Sequence, residues 1–197
     1  MLGTAAIAMW WDISADVRAD WEEWHTVEHM PERLGIPGFL RGTRFVGMAD
    51  EGSYFVLYEA AELANIMSGP YLERLNNPTP WSRRMMPHHR NMVRSLFAVR
   101  AHYGVPLAHA MATVRFSGPM PKLPEGRGLT SAALLESQPM QGAPTTEQKI
   151  RGGEATADKV LLVAGYDVEA VTRAARAVAP AGATTELYRL SYSLARS

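Results

Sequence analysis

The 197-residue chain contains no cysteine. That excludes disulfides, thiolate metal sites and cysteine nucleophiles, and it fits a reducing compartment. An excess of charge is also missing: Lys+Arg and Asp+Glu are both 20, so the formal net charge is zero. Nucleic acid and anionic membranes reward a basic excess, so neither is expected as a partner. Near-zero charge does little to hold molecules apart, and a homodimer is the expectation. No uncharged apolar run approaches membrane-spanning length. The opening MLGTAAIAMWWDIS lacks a basic lead-in and soon meets Asp12, unlike a signal peptide, so a cytoplasmic protein is expected. The sequence also lacks a G-x-G-x-x-G, a phosphate loop, a G-x-S-x-G elbow and carboxylates at a telling spacing, which weighs against nucleotide binding and triad hydrolysis.

What is present is an ordinary apolar fraction, 47%, enough for a real core in one large domain or two small ones. Residues 5–12, AAIAMWWD, read as a central strand, apolar on both faces. A helix over 15–29 follows, with Ser14 as N-cap, acidic Asp16 and Asp20 near its start, and Val17, Trp21, Trp24 and Glu28 on one stripe. Pro31 is expected to end or kink it. Strands at 39–48 and 53–60 form a hairpin around ADEG. In the second of them Tyr54, Val56 and Tyr58 face one way, Phe55 and Leu57 the other. A helix at 61–68 with Leu63, Ile66 and Met67 inward, a short turn of helix in SGPYLERLNN, an irregular loop through 77–90 and a strand at 92–100 complete a β-α-β-β-α-β order, the ferredoxin-like pattern.

The second half partly repeats this. Strands are expected at 110–116, 129–136, 159–166 and 184–195, with a helix at 168–179 capped by Asp167. Its first helix is replaced by the Pro/Gly-rich loop 117–128, and 138–157 reads as a long, mobile polar excursion. The chain is thus read as α+β: two tandem ferredoxin-like units, 1–103 carrying the candidate site and 104–197 degenerate. Their antiparallel sheets bury their open faces against each other as a barrel, formed within one chain or between two.

The segments WHTVEHMPERLGIPGF, YFVLYEA, SGPY and PTPW resemble the dimeric α+β barrel superfamily, and within it the EthD-like proteins and related hypothetical proteins. The resemblance covers about residues 4–100. It implies a fold and a cavity, with a pocket-lining histidine at the position of His29. It does not imply a reaction, because members include cofactor-free monooxygenases, lactone isomerases, dehydratases and haem-handling enzymes.

His25 and His29 are four residues apart, so on a helix their rings project together. They are the candidate catalytic pair. His29, read at a helix C-terminus, would have a raised pKa and move a proton near neutral pH, helped by His25. H-T-V-E-H is not the zinc-protease spacing, and a third ligand would have to come from His88-His89, so no metal is assigned. Trp24, Arg44, Tyr54, Tyr58 and Trp81 are the candidate substrate-binding residues. Trp81 stands as a lid residue in the proline-rich loop, the tyrosines could offer hydroxyls, and an inward-facing Arg44 would need an anion. Each has a plain structural alternative: core packing for the tryptophans, half-buried tips for the tyrosines, a solvent-facing Arg44, a hydrogen-bonded helix end for the histidines.

The reading is an α+β barrel protein that works as a cofactor-free enzyme. In it, a histidine moves a proton on a small hydrophobic or aromatic compound, in an isomerase, dehydratase or monooxygenase type of reaction. The alternatives are a non-catalytic binding or assembly protein and a haem or metal protein. The central expectation is a hollow inside the barrel, with the His29 imidazole looking into it.

Overall fold

Strand β1 (Ala5–Asp12) shows how strict alternation builds the frame. Ile7, Met9 and Trp11 join one buried cluster while Ala6, Ala8 and Trp10 join another on the opposite face. The structure is a computed structural model and describes residues 1–139 and 142–196. The other strands are β2 (Phe39–Gly47), β3 (Ser53–Ala60), β4 (Arg90–Tyr103), β5 (Ala110–Phe116), β6 (Leu129–Gln138), β7 (Lys159–Gly165) and β8 (Thr184–Ala195). They close into one antiparallel barrel in the order β1-β3-β2-β8-β5-β7-β6-β4. The first half runs β4-β1-β3-β2 and the second repeats that order as β8-β5-β7-β6. The halves join at two seams, β2 against β8 and β4 against β6, so one chain supplies the whole barrel.

The barrel is not hollow. All eight strands send apolar side chains inward, small ones such as Ala6, Ala8 and Ala133 beside large ones such as Trp10, Phe55 and Phe97. Trp10 stacks on Phe55 with centroids 5.1 Å apart, and Trp10 Nε1 donates to Thr113 Oγ1 at 3.1 Å. Side chains of mixed size close-pack in so narrow a barrel, so the expected lumen cavity is overturned.

The helices lie outside. Helix α1 (Arg18–Trp24) runs into a π-helical turn (His25–His29) and on into α2 (Met30–Leu34). Ser14 is not its cap: its hydroxyl goes to Asp16, and Val17 holds the cap position without a side-chain acceptor. Pro31 does not stop the helix either. Met30 N–H bonds the carbonyl of His25, five residues back, and this wider turn accommodates the ring that an α-helix would reject.

Two other stretches differ from expectation. Residues 61–68 hold only a 3₁₀ turn (Asn65–Met67), with Met67 exposed; the helix is α3 (Gly69–Asn76), capped by Ser68. The irregular loop contains α4 (Pro80–Met85), capped by Thr79 Oγ1, then a 3₁₀ turn (Met86–His88). Proline sits early in both helices, where its missing N–H costs nothing. In the second half, α6 (Val168–Val178) covers β5 and β7 as expected, with Asp167 accepting from the Ala170 N–H. No helix replaces the loop at 117–128.

The polar stretch 138–157 is built rather than loose, although Met140 and Gln141 lie outside the described residues. Thr145 and Gln148 form a capping box for α5 (Thr146–Arg151), and Ala155 bridges to β4. The signal for this helix lay in T-x-x-Q, which its polar setting obscured. Helix α5 crosses onto the first half, where Thr146 N–H bonds Asn76 Oδ1 and Ile150 packs on the apolar cluster under α1. No described helix is long and apolar enough to cross a membrane.

A buried aromatic and histidine layer as candidate functional site

The outer face of the first-half sheet and the helices above it enclose a layer of aromatic and ionisable groups. From the sheet come Trp11, Arg44, Tyr54 and Tyr58. The helical segment supplies Trp21, Trp24, His25, His29 and Arg33. The 3₁₀ turn after α4 leads to His89.

The imidazoles are held by stacking. His25 lies on Trp21, with centroids 4.9 Å apart and planes at 25°, and His29 lies 4.5 Å from Trp24. The two histidines are 5.6 Å apart. His25 is 1% exposed and His29 9%, so both are sealed beneath the helix. His29 is therefore not at a helix C-terminus. Burial, followed by the positive charge of Arg33, holds its pKa well below the ordinary value, the reverse of the expected shift. Burial does the same to His25, with Arg44 next in size. Both rings are neutral at pH 7, and each presents one donor and one acceptor nitrogen.

His89 differs. Its Nε2 accepts from Trp21 Nε1 at 3.2 Å and its Nδ1 faces the Met86 carbonyl at 2.9 Å, which fixes the proton on Nδ1. Burial lowers its pKa to about 3. Both nitrogens are committed, so His89 has no lone pair left for a metal ion. Among the described residues no three His, Asp or Glu side chains gather as a metal site.

The candidate binding residues divide by what their polar atoms reach. Tyr54 Oη donates to Glu22 Oε1 at 2.7 Å. Arg44 lies between Trp21 and Tyr192, each ring 5.8 Å away, and donates to the Glu22 carbonyl, Thr26 Oγ1 and Ser191 Oγ. It braces the entry to the π turn. Trp24 Nε1 is shared between Glu28 Oε1 and Ser82 Oγ, and Glu28 also accepts from Thr79, tying α4 to the first helix. Trp81 is half-buried on α4 rather than on a loop.

Other atoms reach nothing in the protein. Both nitrogens of His25, Nδ1 of His29, Oη of Tyr58, Nη1 of Arg33 and the indole nitrogens of Trp11 and Trp81 are buried without a hydrogen-bond partner. Buried polar atoms are nearly always paired, and each unpaired one costs about 1–3 kcal/mol. Their concentration in one layer makes that layer the candidate site. The large described clefts lie elsewhere. One of about 810 Å³ is lined by residues such as Ser95, Ser137 and Gln148 and by none of the histidines. The pairing state of buried atoms, rather than open volume, singles out this layer.

Arg33 and the α5 segment were not singled out from the sequence. Arg33 continues the four-residue spacing of His25 and His29, a signal hidden by the assumption that Pro31 ends the helix. Its Nη2 pairs with Glu147 of α5. Arg151 reaches the same carboxylate at 3.4 Å and also pairs with Glu154, which lies 3.8 Å from Arg94. This buried chain of alternating charges fastens α5 over the layer.

Neither a family model nor a curated relative matches the chain in sequence. Solved structures do match in shape. An anthrone oxidase-like protein superposes with a TM-score of 0.60 at 10% identity, covering 98% of this chain and 94% of its own. A candidate monooxygenase from Fusobacterium nucleatum subsp. nucleatum gives 0.56 at 8% identity over 100% and 97%. Another from Lactobacillus acidophilus gives 0.52 at 7% over 98% and 97%. At these identities the likeness is one of fold alone: an α+β arrangement around a closed antiparallel barrel.

Proposed function

We propose that the layer between the first-half helices and the sheet is the active site of an oxidase- or monooxygenase-type enzyme working without a bound cofactor. Its substrate is a flat, largely apolar molecule with a carbonyl and an acidic C–H or O–H. The observation that carries this is the set of sealed, unpartnered polar atoms on His25, His29, Arg33, Tyr58, Trp11 and Trp81. Read as a mould, these atoms ask for oxygen acceptors opposite the N–H and O–H donors and an acidic hydrogen opposite an imidazole nitrogen. The indole faces of Trp21 and Trp24 suit a flat ring.

In this reading neutral His29 takes the proton, and His25 lies beside it with ring centroids 5.6 Å apart. Burial keeps the phenol of Tyr58 protonated, so it donates to the oxyanion that develops. Proton loss leaves an enolate or phenolate, whose electrons pass to dioxygen. For a methylene beside a carbonyl the balance is R₂CH₂ + O₂ → R₂C=O + H₂O, one oxygen entering the product and the other leaving as water. Trp24 and Trp81 wall the substrate, and Arg44 and Tyr54 position the π turn through Glu22. The names of the structural neighbours support this reaction class. The HMP ending and the Pro-Gly turn support EthD-like kinship. The repeated strand order supports two ferredoxin-like units, 1–103 and 104–197, with the site in the first.

Oxygen uptake with anthrone as probe tests this. His29→Gln is expected to lower kcat about 100-fold or more with the fold intact by circular dichroism. Unchanged turnover would remove His29 from the mechanism.

A further inference from the structure

We propose that Arg33 makes this layer selective for an anion, and that its second guanidinium nitrogen receives a carboxylate or ionised phenolic oxygen of the substrate. The inference rests on the active-site reading above and deepens it.

Arg33 is 3% exposed, yet only one side of its fork is used. Nη2 holds Glu147, while Nη1 is buried with no partner in the protein. A guanidinium does not lose its proton, so this donor stays charged inside the layer. Glu147 does not fully offset it, because the same carboxylate also serves Arg151. Four residues separate Arg33 from His29, which puts both on one helical face. Its Nη1 is one of the buried unpartnered atoms of the layer, and its charge acts on His25, His29 and Tyr58. Charge-assisted bonds to an oxyanion are stronger than neutral ones, and a planar fork favours an oxygen in its plane.

This also answers a difficulty in the chemistry. A strongly buried imidazole is a weak base. A guanidinium beside the substrate oxygen lowers the cost of forming an enolate or phenolate, so proton transfer to His29 leaves two opposite charges that are each held. Helix α5 matters to specificity for the same reason: Glu147 fixes the orientation of Arg33.

Calorimetric titration with 2-naphthoate, its neutral isostere 2-naphthamide and 2-naphthol tests the proposal. The wild-type protein is expected to bind 2-naphthoate about tenfold or more tightly than the amide. The preference is expected to vanish in Arg33→Met/Glu147→Gln, which removes the Arg33–Glu147 pair whole and leaves Arg151 its pairing with Glu154. It is expected to shrink in Arg33→Lys, which keeps a cation opposite Glu147 and deletes the second nitrogen. Binding of 2-naphthol with proton release would place the anion on a phenolic oxygen and equally supports the assignment. Equal binding of acid and amide by the wild type overturns anion selection, and a preference that survives both variants overturns the role of Arg33; either result leaves the active-site reading standing. Failure of all three probes to bind the wild type takes down that reading and this inference together.

Discussion

His25, His29 and His89 are buried as neutral rings, with pKa values held below about 6.5 by the loss of solvent. As pH falls through 6.5 the unfolded chain takes up these protons first, so the folded state loses stability. The loss continues until the folded pKa is reached, about 3 for His89. Each ring contributes up to about 1.4 kcal/mol per pH unit. Urea midpoints are therefore expected to fall between pH 6.5 and 5, above the range where carboxylates titrate; a flat profile there contradicts neutral burial. The two tyrosines on one strand face give a second contrast. Tyr54→Phe breaks the bond to Glu22 and is expected to cost about 1 kcal/mol in denaturation. Tyr58→Phe removes a hydroxyl that bonds nothing in the protein, so stability is expected to hold or rise while 2-naphthoate binding weakens. Equal behaviour of the two variants would deny Tyr58 a ligand.

At the scale of elements, the first helix depends on close approach to the sheet. A Cβ on Gly42 would sit 2.8 Å from a ring carbon of Tyr58 and 2.9 Å from Met30 Cγ. Gly42→Ala is expected to destabilise by about 1–3 kcal/mol in urea melts and to weaken probe binding, since it lifts α2 and Arg33 off the strand. Glu147→Ala leaves Arg33 and Arg151 buried without their shared carboxylate, and a loss of about 3–5 kcal/mol is expected. Legibility in the sequence followed local regularity. The strands were readable because alternation such as Tyr54-Val56-Tyr58 against Phe55-Leu57 is a two-residue rule. His25 and His29 were readable as a pair because helical spacing is local too. Arg33 and α5 were not, because a π turn that lets a helix pass Pro31 depends on non-local packing. So does a polar helix whose buried partners lie more than a hundred residues earlier. The filled barrel was equally illegible: residue sizes such as Ala6 and Ala8 decide it only once all eight strands are in register.

At the scale of the whole molecule, one chain closes the barrel and supplies every member of the layer. Barrel closure thus does not require the self-association expected from zero net charge. Sedimentation at concentrations where the protein is monomeric is expected to leave 2-naphthoate affinity unchanged, and affinity that falls on dilution would place part of the site on a second copy. All these expectations depend on neutral imidazoles in a ligand-accepting layer beneath the first helix. Long-range ¹H–¹⁵N NMR of the histidine rings reads this directly, with 2-naphthoate absent and then present at pH 6.5. Neutral-ring shifts for His25 and His29, both moved by the probe while His89 keeps its Nδ1 proton, are the predicted result. Rings that titrate near 6.5 and ignore every probe would contradict it.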